Sequence, residues 1–213
     1  MIVVEQSSVV TAVKEAFFAV LAAEPNTSDP SILHEDAAVI RVTPTADIPP
    51  GFIIRDNTFH YQGTYSDYFP EVDADLVGEE ERDYTKLFLS NNAVRDMTQA
   101  IIKDTDSRRC LATSWDKRYL NPQVVGVCIT QLYARMHNGK LELHSHARAN
   151  DAYRLLLLDM QLALCIQRAI ATAAEVPTGD YIHFVDSLHM YSKYESPIHT
   201  QSRYMQQHQL WQS

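Results

Sequence analysis

Hydrophobic residues recur along this chain with two periods, and the period changes where turn residues cluster. From Ser8 to Ala23, Val9, Val13, Ala16, Phe17 and Leu21 return at helical spacing, which predicts an amphipathic helix. Pro25 to Pro30 ends it with turn chemistry. Ala37 to Val42 is a largely β-branched run and predicts a strand, and the proline-rich stretch Thr43 to Gly51 predicts a loop. Residues 52–83 mix aromatic and acidic side chains without a period, so no element is predicted there. Asn91 to Lys103 predicts a helix with Val94, Met97, Ile101 and Ile102 on one side. Cys110 to Trp115 and Val124 to Met136 predict strands, the second containing Cys128. It closes at Asn138-Gly139, a strong hairpin dipeptide, and the alternation in Leu141 to Ala147 marks the returning strand. Ala152 to Ala174 predicts a long helix with Leu155, Leu158, Leu162, Ile166 and Ile170 on one face. Pro177-Thr178-Gly179 predicts a turn, and Tyr181 to Tyr191 a last strand. The order implies an α+β fold on a mixed or mostly antiparallel sheet, with the long helix buried and the others flanking it.

Composition narrows the function classes. A length of 213 residues predicts a single domain over 1–213, large enough to bury roughly 70% of its unfolded surface without a disulfide or metal staple. No internal repeat or low-complexity tract stands out. Lys and Arg number 18 against 27 Asp and Glu, a formal net charge of −9. Such a surface repels a phosphate backbone, so no nucleic-acid polymer is expected as a partner, while a local arginine pocket can still hold one small anion. The three cysteines, Cys110, Cys128 and Cys165, form no CxxC pair and suggest free thiols in a reducing compartment. The start MIVVEQSSVV has no basic n-region or long apolar core. The longest apolar stretch, from Leu155 onward, is broken by Asp159, Gln161, Gln167 and Arg168 and reads as too polar to span a bilayer. A cytoplasmic protein without a membrane partner is expected.

Several residues could carry chemistry. Arg108-Arg109, after the polar turn Asp104 to Ser107, is either a solvated basic pair or a bidentate phosphate clamp. Cys128 is either a small buried hydrophobe or a nucleophile whose thiolate a nearby arginine would favour. His144 and His146 share a strand face and could begin a metal site, but no third ligand follows at telling spacing, so a polar strand face and no metal are expected. Asp159 falls on the apolar face of the long helix. An ionised carboxylate buried there costs several kcal/mol unless it is paired, so it is either an edge residue or aimed at a ligand that donates hydrogen bonds. His189 and Tyr191 lie on one side of a strand, where both could bond a sugar hydroxyl.

Taken together, Ser107–Asp116 (SRRCLATSWD), the Cys128 strand ending at Asn138-Gly-Lys-Leu141, Arg148–Tyr153 (RANDAY) and the Gly179–Tyr191 segment resemble the thymidylate synthase superfamily. That group includes pyrimidine-nucleotide hydroxymethylases and short archaeal-type and phage-type chains. The likeness covers about residues 91–192. Arg108 to Cys128 and Cys128 to Arg148 are each 20 residues apart, the family's intervals between its arginine pair, its nucleophile and its phosphate arginine. The resemblance implies that Cys128 adds to C6 of a pyrimidine. It also implies that Arg148 binds the nucleotide phosphate and helps activate the thiol, and that Arg108 and Arg109 reach the neighbouring site of a homodimer. Asp151 would contact the base near O2, and His189 and Tyr191 the sugar 3′-hydroxyl. Asp159 stands where the synthases carry Asn.

That difference concerns the base. Asn can accept from uracil N3–H and donate to O4, whereas cytosine presents an N4 amino donor and an N3 acceptor, which suit a carboxyl. The family's cytidylate hydroxymethylases resemble this chain in carrying Asp there. The expected activity is therefore C5 hydroxymethylation of dCMP or CMP, a one-carbon transfer from methylenetetrahydrofolate. The alternatives are C5 methylation of a pyrimidine nucleotide and a catalytically silent nucleotide-binding homodimer. The chain departs from the family in Ala149 for the serine of its RSxD motif, in the Gly126-Val127-Cys128-Ile129 context, and at the C-terminal MQQHQLWQS. Its essential glutamate has only Glu15, Glu71 and Glu79–Glu81 as candidates.

Overall fold

The computed structural model describes residues 1–43, 52–55, 58–61, 84–124 and 126–207, with backbone alone for 52–55 and 58–61. Strands β1 (Ile2–Gln6), β2 (Ile32–Val42), β5 (Leu111–Thr113), β6 (Ile129–His137), β7 (Lys140–Ala147), β8 (Asn150–Asp151) and β9 (Thr178–Tyr191) form one sheet. Its order is β1-β2-β9-β7-β6-β5, with β8 paired to β9. The pairs β1–β2, β7–β9 and β8–β9 are parallel; β2–β9, β6–β7 and β5–β6 are antiparallel. This is the mixed sheet of an α+β fold. Strands β3 (Phe52–Arg55) and β4 (Thr58–Tyr61) form a separate hairpin inside the segment for which the sequence predicts no element.

Each parallel step needs a crossover, and helices supply them. Helix α1 (Val9–Leu21) links β1 to β2. Ser8 caps it by accepting from the Thr11 N–H at 3.4 Å, and Val9, Val13, Ala16, Phe17 and Val20 are buried as the period predicts. Helix α2 (Ala93–Lys103) buries Val94, Met97 and Ile101 but leaves Ile102 exposed. Helix α3 (Leu156–Ala173) links β8 to β9 and is buried almost all round rather than on one face. By length and mean hydropathy α3 passes as a membrane span, so the reading of this stretch as too polar is corrected. Its burial against the rest of the protein, 78% of the helix, accounts for its apolar character. Helix α4 (Glu195–Gln207) was not legible, because two of its four buried residues are Gln201 and Ser202.

Two turns fix the register. Asn138 and Gly139 both adopt positive φ, 51° and 73°, in the two-residue turn joining β6 to β7. Gly179 departs from expectation by lying within β9, where a β-carbon would meet the Leu141 carbonyl oxygen at 3.0 Å, so a side chain there would push the neighbouring backbone aside. The fully buried Gln167 on α3 ties this corner together. Its Nε2 donates to the carbonyls of Leu141 (2.9 Å), Gly179 (3.0 Å) and Asp180 (2.9 Å).

Replacing Gln167 with Leu keeps the volume but strands those carbonyls. A loss of about 1–3 kcal/mol is expected, read as a Tm lowered by about 3–10 °C. An unchanged Tm would contradict this role for the side chain.

Candidate active site

Strand register gathers the predicted residues at one end of the sheet. Ile129 pairs with Ala147, Ala147 with Val185, and Asp151 with His189. Cys128 immediately precedes the first of these pairs and Arg148 immediately follows it. Cys128 therefore lies just outside β6, correcting the expectation that it sits within a strand, and it is half-buried. Its backbone is fixed on both sides: its carbonyl accepts from Arg148 N–H at 3.1 Å, and the next N–H, of Ile129, donates to the buried Tyr84 hydroxyl at 2.8 Å. The other two cysteines are the inert kind. Burial raises the Cys110 thiol, and it pushes Cys165 up to about 11.

The Arg148 guanidinium folds back over the chain leading to Cys128. Its Nε donates to the Val127 carbonyl at 2.9 Å and an Nη to that of Gly126 at 3.2 Å, while the Trp115 ring lies 5.7 Å from its central carbon. A β-carbon at Gly126 would come within 3.1 Å of that guanidinium, so the missing side chain makes room for the arginine. Electrostatics place further groups together. The Tyr191 hydroxyl is raised by burial and by the negative charges of Asp151 and Cys128, and lowered by Arg154 and Arg148. His189 packs edge-on against the Tyr191 ring, with centroids 4.7 Å apart.

Asp151 and His189 each present a buried polar atom with no partner among the described residues. Asp151 Oδ1 accepts from the N–H groups of Tyr153 (3.0 Å) and Arg154 (3.1 Å). This local capping delays the start of α3 to Leu156, four residues later than the hydrophobic pattern suggests. Asp151 Oδ2 remains unpartnered, and burial pushes this carboxyl above the ordinary range. His189 Nδ1 lies 3.1 Å from the Ser187 carbonyl and donates to it. In the neutral ring Nε2 then carries the lone pair, and it is buried without a partner. An acceptor so placed suits a ligand hydroxyl.

Asp159 lies in the first turn of α3 with no exposed surface. Its Oδ2 accepts from Asn150 Nδ2 at 2.8 Å, so the carboxyl is paired inside the core rather than sitting at a helix edge. Asn150 in turn meets His183, which meets Ser145 and Tyr181. The sequence analysis missed Asn150, His183 and Ser145; the available signal was a polar residue at each inward position of strands otherwise lined with Leu, Val and Tyr.

Arg108 and Arg109 are exposed. Arg108 lines a cleft of about 610 Å³ on the outer sheet face with Leu111, Tyr133, His144 and Phe184. Arg109 lines another with Asn91, Asp96 and Ala112. Among the described residues, neither Cys128 nor Arg148 lines either cleft. His144 Nε2 donates to the Glu142 carboxylate at 2.6 Å, and His146 Nε2 lies 3.1 Å from Asp186. No group of three or more metal-ligating side chains occurs among the described residues. Glu15 bonds Gln6 at 2.6 Å in a separate cleft with Phe18 and Gln206. Glu71, Glu79–Glu81 and residues 208–213 lie outside the described residues, so no glutamate or C-terminal segment is assigned to a one-carbon donor.

Complete burial, and to a smaller extent the nearby His146 charge, push His183 down to about 3, against 6.5 unperturbed. Between these values the unfolded chain binds a proton that the folded protein does not. Stability should therefore fall by ~1.4 kcal/mol per unit as pH drops below about 6.5, and this contribution should be flat above it. Urea unfolding of wild type and His183→Gln between about pH 4.5 and 7.5 should show the slope difference; parallel curves would contradict it.

Comparison of the sequence with known proteins identifies a family. The family model for thymidylate synthase matches residues 77–210, more than half of the chain and all of the cluster described above. A thymidylate synthase from Aster yellows witches'-broom phytoplasma (strain AYWB) is 22% identical over 126 residues, 59% of this chain. The match spans 42% of that enzyme's length. With the mixed sheet, the half-buried cysteine and the arginine beside it, the family match places this chain in the thymidylate synthase family.

Proposed function

We propose that this chain transfers a one-carbon unit to C5 of a cytosine nucleotide, dCMP or CMP, by way of covalent addition of Cys128 to C6, and yields the 5-hydroxymethyl product. The observation that carries the reading is the buried carboxyl of Asp159 at the head of α3, where an amide would suit uracil.

The roles proposed for each residue are these. Arg148, cationic and close to the Cys128 backbone, receives the phosphate and favours the thiolate. The Cys128 sulfur forms a bond to C6, and the electron pair moves to C5, which becomes a carbon nucleophile. When bound, methylenetetrahydrofolate, the family's usual donor, supplies the electrophilic one-carbon unit. After C5 bonds the one-carbon unit, loss of the C5 proton and cleavage of the bond from that carbon to its carrier nitrogen would free the carrier amine and leave an exocyclic methylene on the ring; water adds to this methylene, and departure of sulfur restores the ring. His189 Nε2 accepts from a sugar hydroxyl beside Tyr191, and Asp151 Oδ2 meets the base edge near O2. Asp159 accepts from the N4 amino group, and uracil O4 would instead face an anion.

A second copy of this chain completes the site in this reading. Cross-strand neighbours Val3, Val39 and Phe184 share a sheet face, and with Leu111 and Arg108 beside them this face exposes the side chains of Val3, Leu111 and Phe184. Pairing of that face would carry Arg108 and Arg109 toward the partner's phosphate. The single domain and the cytoplasmic setting belong to the same reading. C5 methylation of a pyrimidine nucleotide is the second reading, favoured by the family model and by the phytoplasma relative's name.

Tritium release from 5-tritiated dCMP, CMP and dUMP, with methylenetetrahydrofolate, separates them. Release from a cytosine nucleotide with a hydroxymethyl product is expected; release from dUMP alone, or a methyl product, overturns the first reading. Cys128→Ala should lose release more than about a thousandfold while still binding nucleotide. Asp159→Asn should shift preference toward dUMP by at least ~tenfold, and an unchanged preference would remove Asp159 from base selection.

A further inference from the structure

We propose that Asn150, His183, Ser145 and Tyr181 form a buried positioning relay that fixes Asp159 as a hydrogen-bond acceptor, and so make base selection a property of four residues that touch no substrate. This rests on the reading that Asp159 faces the base.

The relay is continuous. Asn150 Nδ2 lies 2.8 Å from Asp159 Oδ2 and 3.3 Å from His183 Nε2. The far ring nitrogen, Nδ1, lies 2.6 Å from Ser145 Oγ and 3.0 Å from Tyr181 OH, and those two oxygens are 2.7 Å apart. Asn150, Asp159, His183 and Tyr181 have no exposed surface, and Ser145 has almost none. Bulk water therefore does not set the proton positions; the partners do.

Donor and acceptor counting then leaves a single arrangement for an ionised Asp159. An amide NH₂ has two protons to give and nothing to accept with. Both of its neighbours must accept, so His183 Nε2 carries the lone pair and its Nδ1 carries the proton. That proton finds Ser145 Oγ or Tyr181 OH, each of which can accept. The competing arrangement inverts every member. The Asn150 amide turns its oxygen toward Asp159, which must then be protonated to donate, and His183 must shift its proton to Nε2. Asp159 protonation, amide orientation and imidazole tautomer are thus one coupled choice rather than three.

The consequence bears on specificity. In the first arrangement Asp159 offers only acceptors, which an exocyclic amino group satisfies and a carbonyl does not. The Ser145 and Tyr181 hydroxyls hold that arrangement from behind by receiving the Nδ1 proton. The present orientation leaves Asn150 Oδ1 buried without a partner among the described residues, a cost accepted where the amide nitrogen is directed at Asp159 and His183. A core designed only for packing would place apolar side chains at these positions, as it does at Leu141, Leu143 and Leu188.

The test uses the full-length protein in two ways. In wild type, ¹⁵N NMR of labelled histidine should show His183 as a neutral ring with its proton on Nδ1. A proton on Nε2, or a cationic ring at neutral pH, overturns the relay whether or not any variant folds. In His183→Phe, which fills the volume without an acceptor, calorimetric binding of CMP and UMP should give an affinity ratio at least ~tenfold less favourable to CMP than in wild type. An unchanged ratio overturns the proposal. Asp159→Asn measured beside it keeps the two claims separate. If that variant shifts the ratio and His183→Phe does not, the relay fails and the base reading stands. If Asp159→Asn shifts nothing, it is the base reading that fails.

Discussion

A carboxylate closed off from water must have its hydrogen bonds supplied by the protein, and Asp159 imposes that requirement on the centre of this fold. It occupies the first turn of the most deeply buried helix, where an apolar side chain would pack without penalty. Asn150 answers it from β8, the short strand that pairs with β9. The link between α3 and the sheet at this end is therefore polar, although the surrounding core is built from Leu, Ile and Val. Breaking one partner of such a pair is far more damaging than never having had it.

The same end of the sheet collects the other reactive groups for a topological reason. Parallel pairing of β7 and β8 with β9 makes these strands finish together, and the antiparallel β6 begins where β7 ends. Cys128, Arg148, Asp151 and His189 are spread over more than sixty residues of sequence, yet register alone makes them neighbours. Chain ends and loops at the carboxyl edge of parallel strands are a common place for ligands, because backbone and side chains there are fixed by the sheet without being consumed by it. The half-buried state of Cys128, against the fully buried Cys110 and Cys165, is the local expression of that placement.

Much of this was legible in the amino-acid sequence. Helices α1 and α2, the β6–β7 hairpin and the run of β9 follow from periods of 3.6 and 2 and from the Asn138-Gly139 dipeptide. Motif intervals around Cys128 identified the family to which the chain belongs. Other features were hidden for physical reasons. The start of α3 depends on the Asp151 carboxyl capping backbone N–H groups, a side-chain effect that no hydrophobic period records. Gly179 reads as a turn residue, but its role is to let β9 pass close to Leu141. Helix α4 buries glutamine and serine, so its inward face does not look apolar. The network behind Asp159 escaped notice because Ser145, Asn150 and His183 lie on three strands, and only pairing brings them together.

The central claim is that the Asp159 carboxyl faces an amino-bearing base while the Cys128 sulfur lies against the opposite edge of the ring. A crystal structure of the protein with dCMP tests it most directly. The account predicts N4 within hydrogen-bond distance of Asp159, the phosphate on Arg148, and Cys128 Sγ in contact with C6. A nucleotide bound with N4 toward solvent, or with the thiol directed away from the ring, would contradict it.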